Sequence, residues 1–139
     1  MAGLYVHVPF CASRCIYCGF YSTIPTRLKD NGLTIEEQYI NALCNEMQLR
    51  ANELDEPIRS IYLGGGTPSQ LAYKSLQQIF STTKKVFHIT WNKNNSPLEI
   101  TMECNPDDVT ETFVRDLQKL PINRISMGVQ TFSDERLRF

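Results

Sequence analysis

The chain has 139 residues and 42% hydrophobic residues, enough for one domain with a modest core. Its formal net charge of −1 argues against a nucleic-acid-binding surface. No signal-peptide pattern is visible, and no apolar run approaches the roughly 20 residues of a membrane-spanning helix. The five cysteines are odd in number and clustered, which favours a reducing compartment over a disulfide framework. We therefore expect a soluble, cytoplasmic protein.

The first predicted element is a strand over residues 4–8, which is rich in Val and aromatic residues and is stopped by Pro9. Alternation gives this strand an apolar face with Leu4, Val6 and Val8, and a second face with Tyr5 and His7. A polar stretch over residues 25–33 contains the turn signal Asn31-Gly32. Thr34 and Glu37 then form a capping box. An apolar side chain recurs every four residues after it, which predicts a helix reaching about Leu54: Ile35, Tyr39, Leu43 and Met47.

The second half of the chain repeats this order of strand and helix. A strand over residues 60–63 leads into a glycine run at 64–66, and a helix is predicted over residues 73–85. A polar loop over 91–97 precedes a strand over 98–102. Thr110 is the expected N-cap of a third helix, whose apolar stripe comprises Phe113, Val114, Leu117 and Leu120. A fourth strand is predicted over 124–129, and a fourth helix begins near Ser133.

Alternation of strands with helical crossovers predicts an α/β fold with a parallel sheet. The fourth strand sets Ile125, Met127 and Val129 against Ser126, Gly128 and Gln130. Central strands of an open doubly wound sheet are apolar on both faces, so a polar face indicates a strand that lines the lumen of a barrel. We therefore predict part of a parallel β/α barrel, with its sheet cut off in the fourth βα unit.

Three cysteines lie within eight residues in the spacing C-x3-C-x2-C: Cys11, Cys15 and Cys18. Clustered thiolates in an intracellular chain indicate zinc or an iron–sulfur cluster. A [4Fe–4S] cluster held by three cysteines leaves one iron open for another ligand. Two alternatives stay open, namely three buried free thiols and a Cys3His zinc site that adds His7. Cys44 and Cys104 are expected to be packing residues.

Three segments together resemble the oxygen-independent coproporphyrinogen III oxidase group of the radical S-adenosylmethionine (SAM) superfamily. They are Tyr5–Cys11 (YVHVPFC) with the cysteine motif that follows, Gly64–Pro68 (GGGTP) and Arg124–Gln130 (RISMGVQ). The resemblance covers nearly the whole chain. It implies a partial barrel of which this sequence is the N-terminal half, and a [4Fe–4S] cluster whose open iron binds SAM.

The resemblance also implies which residues contact SAM: Tyr5, Tyr17, Gly65, Gly66, Thr67, Glu103 and Gln130. From the residues alone, the glycines also fit a tight strand-to-helix turn, and Glu103 also fits a solvated carboxylate at a strand end. The glycine run lacks the G-x4-G-K-[ST] pattern, which argues against a nucleoside triphosphatase. His7 shares the face of Tyr5 and is kept as a further candidate.

Within the group, the chain resembles the haem-chaperone branch more than the oxidase branch. The oxidases carry a fourth cysteine two residues after the third, and they have a longer N-terminal extension before the motif. In this chain the residue two positions after the third cysteine is Phe20. Gly19, in contrast, is the oxidase-like residue. The resemblance therefore implies a haem-binding protein that passes haem to an acceptor protein and needs an electron donor. The alternative is an enzyme that oxidatively decarboxylates coproporphyrinogen III.

Overall fold

Four parallel strands form the centre of the molecule. The computed structural model describes residues 2–25, 29–91 and 98–138. In that part of the chain the elements are β1 Ala2–Val8, β2 Lys29–Asp30, β3 Leu33–Thr34, α1 Ile35–Leu49, β4 Ile58–Gly65, α2 Tyr73–Val86, β5 Glu99–Cys104, α3 Glu111–Leu117 and β6 Arg124–Met127. Short 3-10 turns lie at Pro68–Gln70, Pro106–Asp108 and Arg136–Arg138.

The main sheet has the order β1-β4-β5-β6, and each neighbouring pair is parallel. The order of the strands across the sheet is therefore the same as their order along the chain. This sequential strand order is that of a β/α barrel, whereas the strand order of a doubly wound sheet reverses at a switch point. The predicted α/β class with a parallel sheet is confirmed.

The hydrophobic core lies between one face of the sheet and helices α1 and α2. The strands contribute alternate apolar residues, and the helices contribute the stripes that face them: Val6, Val8, Ile61, Leu63, Ile100, Met102, Ile40, Met47, Leu76, Ile79 and Phe80. Cys44 and Cys104 are buried in the same core, as the sequence predicted. The opposite face of β1 carries the half-exposed or exposed Tyr5 and His7, so the predicted two faces of this strand are confirmed.

The turn and the capping box before α1 form as predicted. Asn31 and Gly32 have φ values of 51° and 80°, and they join β2 to β3 in a two-residue hairpin. The Glu37 amide donates to Thr34 Oγ1 at 3.2 Å, and the Thr34 amide donates to Glu37 Oε2 at 2.9 Å. The bond from the Thr34 amide is the main reason why the pKa of Glu37 is lowered. The sequence did not predict the two short strands, and residues 26–28 of this stretch lie outside the described part.

Three predicted boundaries are wrong. Helix α1 ends at Leu49, and the expected extension to Leu54 does not form. The next position of its four-residue apolar repeat is Ala51, which offers little surface to bury, so packing no longer supports the helix. Strand β6 ends at Met127 because this residue pairs with Cys104, the last residue of the neighbouring strand β5. The chain then turns at Gln130, whose φ is 63°. The fourth helix is represented among the described residues only by the 3-10 turn Arg136–Arg138.

Other boundaries shift by a few residues. Strand β4 is longer than predicted at both ends, and β5 runs to Cys104. Helix α3 begins after the Thr110 N-cap but ends at Leu117, although Leu120 is still buried. The apolar residues of β6 are partly exposed, because no helix covers them in the part of the chain that is described. Residues 92–97 of the predicted polar loop lie outside the described part.

Among the described residues, the helices are too short or too polar to cross a bilayer.

Candidate functional site

The cysteine-bearing loop leaves the carboxyl end of β1 and is closed at its base by backbone hydrogen bonds. The Cys11 amide donates to Thr23 O at 3.0 Å, and the Thr23 amide donates to Pro9 O at 2.6 Å. Inside the loop, the Cys18 amide donates to Cys15 O at 3.2 Å, which makes a tight turn between these two cysteines. The loop therefore projects from the same edge of the sheet at which the strand ends.

The three predicted ligands differ in their surroundings. All three are free thiols; Cys11 is half-buried, and Cys15 and Cys18 are exposed. Across residues 2–25, 29–91 and 98–138, no three His, Cys, Asp or Glu side chains are close enough together to hold a metal ion. The donor set fits an iron–sulfur cluster chemically, since thiolates are its usual ligands. Binding through all three thiols therefore requires the loop to bring its exposed cysteines toward Cys11.

The loop presents a cluster of exposed apolar side chains: Ile16, Tyr17, Phe20, Tyr21 and Ile24. Tyr17 is a predicted SAM contact, and its side chain is hydrogen-bonded to that of Cys15. A hydrogen bond with Cys15 is the main reason why the pKa of Tyr17 is raised, and the charges of Cys15 and Cys18 add to it. Tyr17 is thus placed among the cysteines rather than in the core.

The glycine segment that follows β4 packs directly against the start of the cysteine loop. The Gly66 amide donates to Val8 O, and the Thr67 amide donates to Phe10 O, each at 2.7 Å. Thr67 Oγ1 donates to Cys11 Sγ at 3.3 Å. The predicted site residues Gly66 and Thr67 are therefore brought together with the first cysteine.

The glycines are needed for these close approaches. A Cβ on Gly66 would lie 2.7 Å from Phe10 O and 2.9 Å from Val8 O. Gly65 has a φ of +114°, and a Cβ there would lie 2.5 Å from the His7 ring. Contacts within the protein thus explain part of the glycine run, in agreement with the tight-turn interpretation.

Tyr5, His7 and Glu103 project from the face of the sheet opposite the core. The Tyr5 hydroxyl is 3.1 Å from His7 Nδ1, and His7 Nε2 is 3.2 Å from Tyr21 O. Since a carbonyl only accepts, the proton of a neutral His7 lies on Nε2 and Nδ1 accepts from Tyr5. His7 therefore links β1 to the far end of the cysteine loop. In this arrangement its ring is used for hydrogen bonds within the protein.

Glu103 lies at the carboxyl end of β5 and accepts two hydrogen bonds. Tyr62 Oη donates to Glu103 Oε1 at 2.6 Å, and the Gly65 amide donates to Glu103 Oε2 at 3.1 Å. Desolvation and the nearby Glu103 carboxylate raise the pKa of Tyr5. Tyr5, Gly65 and Glu103, all predicted from sequence, thus lie on one surface.

Sequence reasoning missed Tyr62. This side chain is two residues before Gly64 on β4, so strand alternation places both on one face. Its ring stacks on that of Tyr5 at 6.1 Å between centroids. Alternation along β4 and along β5 puts Tyr62 and Glu103 on the same face of the sheet, and this pattern could have identified Tyr62 from the sequence.

Among the described residues, Gln130 has no hydrogen bond to another predicted site residue. Its Nε2 donates to Gly128 O at 3.3 Å, and its backbone has the positive φ noted above. Two clefts have volumes of about 330 Å³, between β1 and α1 and lined in part by Tyr5, and about 240 Å³, between α2 and α3. Neither cleft is lined by a cysteine of the loop or by the glycine segment.

Comparison with known proteins identifies relatives that are named as haem chaperones or as coproporphyrinogen III oxidases. A haem chaperone from Buchnera aphidicola ("Heme chaperone HemW") is 35% identical over 97% of this chain and 34% of its own length. An "Oxygen-independent coproporphyrinogen III oxidase" from Synechocystis is 34% identical over 95% of this chain and 27% of its own length. The chain thus spans about a third of the length of the curated relatives it matches.

The structural comparison gives the same answer for the fold. The solved structure of coproporphyrinogen III oxidase from Escherichia coli, described as a radical SAM enzyme, matches with a TM-score of 0.79 and 31% identity. The match covers 98% of this chain and 29% of that structure, and it confirms the predicted partial-barrel fold. A family profile described as "Radical SAM superfamily" matches residues 5–139. The strand order, the cysteine loop and these matches agree, and the chain belongs to the radical SAM superfamily.

Proposed function

We propose that this chain binds a [4Fe–4S] cluster through Cys11, Cys15 and Cys18, and binds SAM beside it. The observation that carries this proposal is the contact between Thr67 Oγ1 and Cys11 Sγ, with the two backbone bonds around it. It places the glycine segment against the cysteine loop at the carboxyl edge of the parallel sheet. Ligands of β/α barrels bind at this edge.

The SAM contacts that we propose are the residues that the family resemblance implies: Tyr5, Tyr17, Gly65, Gly66, Thr67, Glu103 and Gln130. Glu103 offers carboxylate oxygens to a hydroxyl or ammonium group, and Tyr5 offers an exposed aromatic surface. When bound, the cluster supplies the electron for reductive cleavage of the SAM sulfonium bond. The residues of the chain position the two partners.

We further propose that the protein to which this chain corresponds delivers haem to an acceptor protein. The name of the Buchnera relative supports this function, as does the absence of a cysteine at position 20, where Phe20 stands. We also propose that residues 1–139 form the N-terminal part of a radical SAM core domain, in line with the share of the relatives that they match.

A second candidate function is the oxidative decarboxylation of coproporphyrinogen III. The Synechocystis relative and the Escherichia coli structure carry that name, and Gly19 follows the oxidase pattern. Both candidates involve SAM and an electron donor; this one needs coproporphyrinogen III as its substrate, whereas haem delivery needs haem and an acceptor protein.

One pair of assays on the reconstituted, anaerobic chain separates the two candidates. The chain is incubated with coproporphyrinogen III, SAM and dithionite, and the porphyrins are separated by chromatography. In parallel, haem is titrated into the chain and the Soret band is followed. We expect haem binding without protoporphyrinogen IX. Formation of protoporphyrinogen IX would establish the oxidase instead.

A further inference from the structure

The carboxylate of Glu103 is held by two donors from the neighbouring strand β4. Tyr62 Oη donates to Oε1, and the Gly65 amide donates to Oε2. The carboxylate extends over Gly64, where an added Cβ would lie 2.9 Å from Glu103 Oε2 and 2.6 Å from Tyr62 Cε1. The missing side chain at Gly64 therefore makes the room in which the phenol and the carboxylate meet.

The phenol ring of Tyr62 is itself fixed by its neighbours. Tyr5 lies opposite Tyr62 in the β1–β4 register, and the two rings stack with an interplanar angle of 25°. A hydrogen bond to Glu103 is the main reason why the pKa of Tyr62 is raised, with desolvation second. The hydroxyl therefore stays protonated at neutral pH and continues to donate. A donor at a fixed position selects one orientation of the carboxylate.

We propose that Tyr62 is a positioning residue for SAM binding: its hydroxyl holds Glu103 Oε1, so that the remaining lone pairs of the carboxylate face the ligand's hydroxyl or ammonium donors. This inference rests on the proposed function, because it assumes that Glu103 contacts SAM. Tyr62 acts through Glu103 and needs no contact with SAM of its own. Its loss leaves the carboxylate free to rotate away from the ligand.

The variant Tyr62→Phe tests this role because it removes only the hydroxyl and keeps the ring that stacks on Tyr5. A hydrogen bond to a charged acceptor of this kind corresponds to about a tenfold change in affinity. We expect the Kd for SAM, measured by equilibrium dialysis on anaerobically reconstituted protein, to rise about five- to tenfold. Iron content should stay at its wild-type value, and the variant should still unfold in one cooperative transition. Tyr73→Phe is the matched control, because Tyr73 lies on α2 and its hydroxyl accepts from Gln77.

A double-mutant cycle with Glu103→Gln distinguishes positioning from independent binding. If Tyr62 acts through Glu103, adding Tyr62→Phe to Glu103→Gln should raise the Kd much less than it does in the wild type. An unchanged Kd in Tyr62→Phe, or fully additive effects, would overturn the inference. Loss of iron from Tyr62→Phe would overturn it too, because a role of Tyr62 in the structure of the cluster site would then be sufficient to explain weaker SAM binding. If the iron-loaded wild type itself does not bind SAM, the proposed function fails first.

Discussion

The hydroxyl of Thr67 donates a hydrogen bond to the sulfur of Cys11 at 3.3 Å, across 56 positions of sequence. The backbone of Thr67 is bound to the same loop, through its amide and Phe10 O. The glycine segment and the first cysteine therefore form one structural unit. A thiolate at Cys11 would accept this hydrogen bond, and hydrogen bonds to the sulfur ligands change the reduction potential of an iron–sulfur cluster.

Replacing Thr67 with Val removes the hydroxyl and keeps the shape of the side chain. A hydrogen bond to sulfur favours the more negative, reduced state, so Thr67→Val should lower the reduction potential of the reconstituted cluster. A net contribution of about 1 kcal/mol corresponds to about 40 mV for one electron. A redox titration followed by electron paramagnetic resonance measures the shift. Thr67→Ser keeps a hydroxyl and should stay near the wild-type potential, and an unchanged potential in a fully loaded Thr67→Val would contradict the assignment.

Gly66→Ala should destabilise the fold, because the new Cβ would contact two backbone carbonyls that β1 and the cysteine loop hold in place. Overpacking of this kind costs about 1–3 kcal/mol, measurable as a lower free energy of unfolding in urea. Gly19→Ala is the control, because no described residue beyond its two chain neighbours lies within 4 Å of a Cβ at that position. Equal stability of the two variants would show that the glycine segment does not pack as described.

The five cysteines should differ in their rates of alkylation. Cys15 and Cys18 are exposed and should react with iodoacetamide first, whereas Cys44 and Cys104 are buried and should react slowly. Mass spectrometry of the reduced, metal-free chain after short exposures measures the order. Cluster loading should then protect Cys15 and Cys18 and leave the slow reaction of Cys44 unchanged. Rapid labelling of Cys44 would contradict the described core.

Burial, with a contribution from Asp108, raises the pKa of the Cys104 thiol to about 11 from an ordinary value of 9.0. Between about pH 9 and about pH 11 the folded state therefore keeps a proton that the unfolded chain releases. The contribution of this thiol to the free energy of unfolding falls as the pH rises over this range. Wild type should lose more stability over this range than Cys104→Ala, in urea unfolding at each pH. Parallel pH profiles for the two proteins would argue against a buried, protonated thiol.

Local patterns in the sequence predicted much of the fold. The alternation in β1 gave the right faces, and Thr34 with Glu37 gave the right start of α1, because these features depend on neighbours in the chain. The end of α1 was not predictable in the same way. It depends on where the helix stops burying side chains against the sheet, and Leu54 lies beyond that point.

The candidate site was predictable in its composition and less so in its geometry. The spacing of the cysteines identified the ligands that we propose, but Cys15 and Cys18 are exposed, so few contacts of the chain fix the positions of their sulfurs. Tyr62 was missed because its partner, Glu103, lies 41 positions away, so that finding it requires the alternation of β4 and that of β5 to be considered together. Gln130 was predicted from the family motif, and its local turn leaves it bonded to Gly128.

The most direct test of the central claim is anaerobic reconstitution with iron and sulfide, followed by electron paramagnetic resonance of the reduced protein with and without SAM. We predict about four irons per chain, as in a [4Fe–4S] cluster, a spectrum that SAM perturbs, and no cluster in Cys15→Ser. Zinc in place of iron, or a four-iron spectrum retained in Cys15→Ser, would contradict the proposed open-iron site.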